Sequence, residues 1–396
     1  MTALSPAPIS ADAIGAVLGP DFGSARTLPA EAYRSSEVLD WERSNLFEAG
    51  WVCAGRSELV SGAGAQRAIR IGTAGIVLTR DHDGALHAFH NVCRHRGHEL
   101  LRVGECRTRR SIGCPYHGWV YALDGALRQA SRFSDIPGFD IADFPLVEVR
   151  VKEWNGWIFV NADGEARTLD AWLGNLGEYI ENWEADRLRV GARHEYVVEA
   201  NWKLIVENFL ECYHCPNIHP ELCRLSPPES AEAFDHTGIW IGGPMELRDA
   251  AETMSLDGQS AGVRIRGLDD EQARHVHYFA VFPNVLISPH PDYVMTHRLE
   301  PLSPTETSVE CSWLFPPEAF EQPEFDPAYA ERFWDITNSQ DFAACESVQR
   351  GMASRGFVPG PFDLRESGVY ALQAMIANAY MTGEIERPGA VDMTAS

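Results

Sequence analysis

Two short segments, each pairing a cysteine with a histidine, constrain this 396-residue chain more than anything else in it. They are Cys93-x-His95, inside CRHRGHEL, and Cys114-x-x-His117, inside CPYHGW. Thiolate and imidazole are good metal ligands, and two such pairs in close sequence can hold more than one ion. Gly97 and Gly118 accompany the pairs and let the backbone curl tightly around a ligand. A Cys2His2 zinc site is the competing reading, but a zinc finger takes both cysteines from one segment and both histidines from the other. Here each segment supplies one of each. That order suits a two-iron cluster, with Cys93 and Cys114 on one iron and His95 and His117 on the other. Imidazole in place of thiolate removes negative charge and raises the reduction potential, which defines a Rieske [2Fe-2S] centre. Trp119 is expected to pack over the cluster, and His98 and Cys106 to be non-ligands.

The rest of the composition narrows the setting. The net charge of -24 argues against nucleic acid, which is bound by neutralising phosphates with Lys and Arg. No stretch is long and apolar enough to cross a membrane, and the start, MTALSPAPISADAIG, shows no cationic segment followed by an apolar one. Nine cysteines, an odd number and sparsely placed, fit a reducing cytoplasm, where Cys/His clusters point to metals before disulfides.

The length allows two or three domains. Residues 1–40 are expected to form an arm and lead-in, residues 41–165 a small antiparallel β domain with the Cys/His pairs on two loops, and residues 166–396 a second domain. DHDG and ALDG are hairpin turn signals within the first domain. Beyond GEARTLDAWLG the pattern mixes helices (AWLGNLGEYIENW, NWKLIVENFLECYH) with strands of a second sheet (YFAVFPNVLISPH, YVMTHRLEPL, SVECSWLFPP). Two long helices, AYAERFWDITNSQDFAACESVQRGM and ESGVYALQAMIANAY, come near the end, and the tail GEIERPGAVDMTAS is expected to fray. The fold class is therefore α+β.

A Rieske centre only moves electrons, so the chain needs somewhere to send them. In NWKLIVENFLECYHCPNIH a helix would set Glu207, Glu211 and His214 on one face, and Pro216 would bend the chain so that His219 swings back beside His214. Two histidines and a carboxylate hold iron while leaving positions open for oxygen. Asp341 is the candidate carboxylate, since its helical neighbours Trp334, Thr337, Ala344, Cys345 and Val348 make an unpaired charge costly there. The competing reading pairs Asp341 with an arginine such as Arg350 or leaves it in solvent. Cys212-x-x-Cys215 is read as a pair of packing residues at a helix end rather than a redox dithiol or half a zinc site.

Taken together, Cys93-x-His95, C114PYHGW119, Asn201-Trp202-Lys203, Glu207-Asn208, the spacing from Tyr213-His214 to His219, and Asp341 with Glu346 and Gln349 resemble the α subunit of a Rieske non-haem iron oxygenase, from about Trp41 to the last long helix. The resemblance implies a Rieske domain, a helix-grip catalytic domain with mononuclear Fe(II) on His214, His219 and Asp341, and a head-to-tail homotrimer in which one subunit's cluster faces the next subunit's iron. It also implies a role for Glu211 between His117 and His214 across the subunit interface. The family usually has Asp at that position. The members with Glu resemble the glycine betaine, carnitine and choline monooxygenases, whose substrates carry a trimethylammonium group.

These features imply a terminal oxygenase that uses O2 and electrons from a separate flavin/iron-sulfur reductase, itself supplied by NAD(P)H, because this chain has no Gly-rich dinucleotide fingerprint. The expected reaction is oxidative N-demethylation, with glycine betaine as the first substrate. Ring hydroxylation or O-demethylation of an aromatic acid is the alternative within the class, and an electron carrier without oxygen chemistry is the alternative outside it. A quaternary ammonium needs aromatic faces. Trp240, Tyr278, Phe279, Phe282 and Trp313 are candidates that also read as ordinary core.

Overall fold

The computed structural model describes residues 6–19 and 22–387. The chain divides into two compact units, one running from Glu42 to Leu169 and the other combining the residues up to Trp41 with those from Asp170 onward. Both are built on antiparallel sheet, and the second adds long helices, so the class is α+β.

The Glu42–Leu169 unit has ten strands: β1 (Val52–Arg56), β2 (Ala65–Ile71), β3 (Ala74–Arg80), β4 (Leu86–His90), β5 (Cys106–Thr108), β6 (Ile112–Gly113), β7 (Val120–Tyr121), β8 (Leu127–Gln129), β9 (Arg150–Trp154) and β10 (Trp157–Asn161). They form sheets of order β1-β10-β9, β4-β3-β2-β5 and β6-β7-β8. Ile71 pairs with Ala74, so Gly72 and Thr73 make a two-residue turn, and Gly72 takes the positive φ of 57° such a turn requires. DHDG turns β3 into β4, with the Asp81 carboxylate accepting from the backbone N–H of Asp83 and Ala85. Cys93, Cys114, Trp119 and Tyr121 belong to one buried cluster with Phe89 and Leu101.

The second unit is organised by a six-stranded sheet of β11 (Arg189–Val198), β12 (Trp240–Glu246), β13 (His275–Val281), β14 (Val285–Pro289), β15 (Val294–Ser303) and β16 (Glu306–Phe315), in the order β11-β16-β15-β14-β13-β12. Helices Trp202–Phe209, Ala328–Gly351 and Ser367–Thr382 pack on it and on one another. Asn201 fastens this layer. Its side chain caps the Trp202 helix by accepting from Lys203 N at 3.1 Å, its amide donates to Pro304 O at 2.8 Å, and its backbone N–H donates to Gln349 Oε1 at 2.9 Å.

The described part of the N-terminal segment is not loose. Leu28 N donates to Gln373 Oε1, and the Tyr33 hydroxyl donates to Glu207 Oε1 at 2.7 Å. Ile14, Val17, Leu28 and Tyr33 are buried, and the Ala11–Gly15 helix packs on Ser367–Thr382. The lead-in helix begins as α-helix over Ser36–Glu42 and continues as π-helix from Arg43 to Glu48. From Pro388 onward the expected frayed tail lies outside the described residues. Among the described residues no helix is long and apolar enough to cross a membrane.

Candidate metal centres

The two Cys/His segments fold into matched loops. Gly97 N donates to Cys93 O at 3.0 Å, and Gly118 N donates to Cys114 O at 3.1 Å. Each loop then folds back on its cysteine, through Cys93 N to His98 O and Cys114 N to Trp119 O, both at 2.8 Å. Gly97 and Gly118 sit at φ of 70° and 69°, a backbone region closed to most side chains. The result brings the His95 and His117 rings to 4.6 Å between centroids. Both cysteines are buried, whereas His117 is exposed.

This loop pair fits a [2Fe-2S] group on its own chemistry. His95 Nδ1 is shut off from solvent with no hydrogen-bond partner among the described residues, as a metal-directed nitrogen would be. Burial, with the charges of His117 and Arg96, lowers the His95 pKa and keeps the ring neutral. Burial raises the Cys114 pKa, and the neighbouring Cys93 thiol adds to the effect, so two thiolates here need a cation beside them. Trp119 stacks on His95 at 5.1 Å and 8°. Tyr121, which sequence reading missed, accepts from Arg94 N at 3.0 Å and lies 3.3 Å from Cys93 Sγ. His98 turns its Nδ1 to Glu99 O and Cys106 is exposed, so neither joins the site.

In the second unit, His214, His219 and Asp341 come together, with one ligand atom from each lying within 4.8 Å of the others. His214 Nε2 lies 3.3 Å and His219 Nε2 2.8 Å from the same carboxylate oxygen, Asp341 Oδ1. The opposite ring nitrogens are held from behind. His214 Nδ1 is 2.5 Å from Glu211 Oε1, and His219 Nδ1 is 2.7 Å from Gln340 Oε1. A proton held on each Nδ1 leaves Nε2 as the nitrogen beside Asp341, so that once Nε2 gives up its own proton the ring is in the tautomer that binds metal. The donor set fits a two-histidine, one-carboxylate iron site. Burial works against a charged His214, but hydrogen bonds to Asp341 and Glu211 outweigh it and bring its pKa to about 9. Burial likewise opposes the Asp341 charge, and the two histidines outweigh it and lower its pKa. Arg350 instead lies 3.9 Å from Glu346, so the arginine pairing considered for Asp341 does not form.

The route to this convergence differs from the expected one. The Trp202 helix ends at Phe209, and residues 210–214 are not helical. Glu211 therefore reaches His214 through a loop, in which its Oε2 accepts from the backbone N–H of Tyr213 and of His214. Glu207 stays behind on the helix, buried beside Tyr33, where burial raises its pKa to about 7. Short helices Cys215–Ile218 and Pro220–Leu225 follow, and His219 stands at the bend between them. Cys212 and Cys215, expected as separate packing residues, are joined in a disulfide. They straddle the turn into the Cys215–Ile218 helix with Cα atoms 4.9 Å apart, within bridging distance. Gln340 and Asn208, whose Nδ2 is 3.5 Å from His214 Nε2, were not singled out as site groups. Gln340 precedes Asp341 directly, and adjacency along a helix normally separates side chains rather than joining them.

The chain matches the Rieske [2Fe-2S] domain over residues 50–140 and the catalytic domain of the ring hydroxylating alpha subunit over residues 185–382. It is 31% identical to the glycine betaine monooxygenase oxygenase subunit of Chromohalobacter salexigens over 370 residues, which cover 85% of this chain and 81% of that one. It is also 31% identical to the carnitine monooxygenase oxygenase subunit of Escherichia coli K12, covering 84% of this chain and 85% of that one. Among solved structures, that of a quaternary ammonium Rieske monooxygenase, described for carnitine oxidation and inter-subunit electron transfer, superposes with a TM-score of 0.78 at 25% identity, covering 95% of this chain and 100% of that one. The chain belongs to the family of Rieske non-haem iron oxygenase α subunits, the terminal oxygenase components that carry a Rieske cluster and a mononuclear iron.

Proposed function

We propose that this oxygenase carries out oxidative N-demethylation of a quaternary ammonium compound in the class of glycine betaine and carnitine. The observation that carries the reading is the convergence of His214 Nε2, His219 Nε2 and Asp341 Oδ1, in a chain whose relatives act on such compounds. In this reading Cys93, His95, Cys114 and His117 hold the [2Fe-2S] cluster, and His214, His219 and Asp341 hold Fe(II). When bound, these groups supply one-electron transfer and oxygen activation, with electrons from a separate NAD(P)H-linked reductase.

The chain's own residues prepare that chemistry. The Tyr121 hydroxyl lies 3.3 Å from Cys93 Sγ, where it would donate to a thiolate, and Trp119 covers one face of His95. Glu211 and Gln340 accept the Nδ1 protons of His214 and His219 and hold both rings in their metal-binding orientation. Hydroxylation of an N-methyl carbon takes one oxygen atom of O2, with the other leaving as water on two electrons from the reductase and two protons; the N-hydroxymethyl ammonium so formed then loses its hydroxyl proton as the C–N bond breaks, giving formaldehyde and a tertiary amine. The working assembly is a homotrimer in the cytoplasm, in which Glu211 of one chain also meets His117 of the next. A relative described with inter-subunit electron transfer supports that arrangement, and a solution mass that is not a multiple of three chains would sink it. The deciding experiment supplies the iron-loaded protein with a surrogate reductase and measures formaldehyde from a panel of betaines, choline and methoxylated aromatic acids. Release from the quaternary amines supports the reading. Release from the aromatic acids alone refutes it.

A further inference from the structure

Strand register shows which side chains share a face of the six-stranded sheet. Ala280 on β13 pairs with Leu286 on β14, and Leu286 pairs with His297 on β15. Two residues along, Ser288 pairs with Met295, and Tyr278 continues that row two residues before Ala280. Tyr278, Ser288 and His297 therefore stand on one face of three adjacent strands. That face meets the helices. The Phe209 ring lies 5.7 Å from the Tyr278 ring and 6.2 Å from the His297 ring, and Asn338 Oδ1 lies 3.0 Å from His297 Nε2. The face lies beside the helix that carries Asp341, because Asn338, the partner of His297, stands three residues before Asp341 on Ala328–Gly351.

Their neighbours Ala280, Leu286 and Met295 are apolar, as a buried face demands. By contrast Tyr278 Oη, Ser288 Oγ and His297 Nδ1 are all closed to solvent with no hydrogen-bond partner among the described residues. Buried polar atoms are nearly always paired, so three unpaired ones on neighbouring strands indicate a place where a ligand's polar atoms complete the set. Their roles differ. Burial keeps the Tyr278 hydroxyl protonated, so it and Ser288 offer O–H donors. His297 gives its Nε2 proton to Asn338, and burial keeps the ring neutral, which leaves Nδ1 as a lone-pair acceptor.

We propose that Tyr278, Ser288 and His297 are specificity-determining residues for the oxygen-bearing end of the substrate: the two hydroxyls donate to its carboxylate, and His297 Nδ1 accepts from a hydroxyl group. This rests on the quaternary ammonium reading above and sharpens it, since a betaine carrying a hydroxyl uses all three groups and its deoxy counterpart leaves His297 unpaired.

Calorimetric titration of the anaerobic holoprotein with carnitine and with its deoxy analogue γ-butyrobetaine tests this independently of turnover. The wild type should bind carnitine about 5- to 10-fold more tightly, the worth of one neutral hydrogen bond. His297→Phe should abolish that ratio. Tyr278→Phe and Ser288→Ala should each weaken both ligands roughly tenfold or more, as hydrogen bonds to a charged group do, and keep the ratio. Their ligand-free melting temperatures should not fall, because no internal bond is lost, whereas a purely structural hydroxyl would lower them. Unchanged affinities in both hydroxyl variants, or no preference for carnitine in a wild type that binds and demethylates betaines, overturns this inference alone. A wild type that neither binds nor demethylates any betaine overturns it together with the reading beneath it.

Discussion

Glu211 uses both carboxylate oxygens. Oε1 sits 2.5 Å from His214 Nδ1, while Oε2 accepts from the Tyr213 and His214 backbone N–H. Glu211→Gln keeps the length and removes the charge. The ring then loses a charge-assisted hydrogen bond worth about 1.5–3 kcal/mol, which corresponds to roughly 10- to 100-fold weaker Fe(II) binding. The His214 pKa should also fall from about 9, because one of the two carboxylates that raise it is gone. Glu211→Asp keeps the charge but is one methylene shorter, so it cannot serve the ring and both backbone groups at once. It should weaken iron binding too, even though it restores the residue usual in the wider family. Anaerobic competition between protein and a chelator of known affinity measures the effect, with cluster absorbance as the check that the other unit is intact. Single-turnover oxidation of the cluster should slow in the same variants. Wild-type iron affinity in Glu211→Gln would refute the argument, because it would mean that the short Nδ1 contact does not hold the ligand ring.

His95→Ala should lose the visible colour of the cluster and retain mononuclear iron, whereas Asp341→Ala should keep the colour and lose about one iron per chain by metal analysis; the opposite pattern would reverse the two assignments. Gln340→Leu removes a neutral acceptor from His219 Nδ1, worth about 1 kcal/mol, so metal analysis under competition should show a loss of about fivefold, smaller than that of Glu211→Gln. In the metal-free protein, the raised His214 pKa stabilises the fold fully below its ordinary value of about 6.5, and this contribution disappears as pH rises through about 9. The lowered Asp341 pKa works the other way, contributing above the ordinary carboxylate value and failing as pH drops through the folded one. Because metal must displace the His214 proton, apparent Fe(II) affinity should climb about tenfold per pH unit toward pH 9 and then level off; a flat profile would contradict the raised pKa.

What the sequence disclosed followed how local each signal was. The two Cys/His segments were legible as matched loops because each cysteine lies within three residues of its histidine, and the curl of each loop is set by its own glycine. The interior strands β15 and β16 were legible as apolar runs, whereas β13 and β14 read as one strand, YFAVFPNVLISPH, because the turn at residues 282–284 between them is short. Within the six-stranded sheet, the two strands that went unread, β11 and β12, are its two edges. Edge strands are only half covered, so β11 shows a partly exposed face, and β12 carries Gly242, Gly243 and Pro244, residues that weaken a strand pattern but are tolerated at an edge. Asp341 was legible as a misfit on its helix, but its partners lie more than a hundred residues away, and no local pattern names them.

The stretch from Phe209 to His214 was misread for a reason that bears on function. Helical spacing does put Glu207, Glu211 and His214 on one face, but a straight helix would also string Glu207 and His214 about 10 Å apart along its axis. Such a row cannot gather around one ion. The chain leaves the helix after Phe209, and the Glu211 carboxylate, by taking the Tyr213 and His214 N–H groups, supplies in the loop the hydrogen bonds that the helix would have provided. The Cys212–Cys215 bridge closes the same loop. Freed from the helix axis, His214 turns Nε2 to Asp341 while Glu207 stays with Tyr33. The local departure from helical periodicity is thus what lets His214 meet His219 and Asp341, and Glu211 serves both ends of the turn, fixing the loop through one oxygen and the His214 ring through the other.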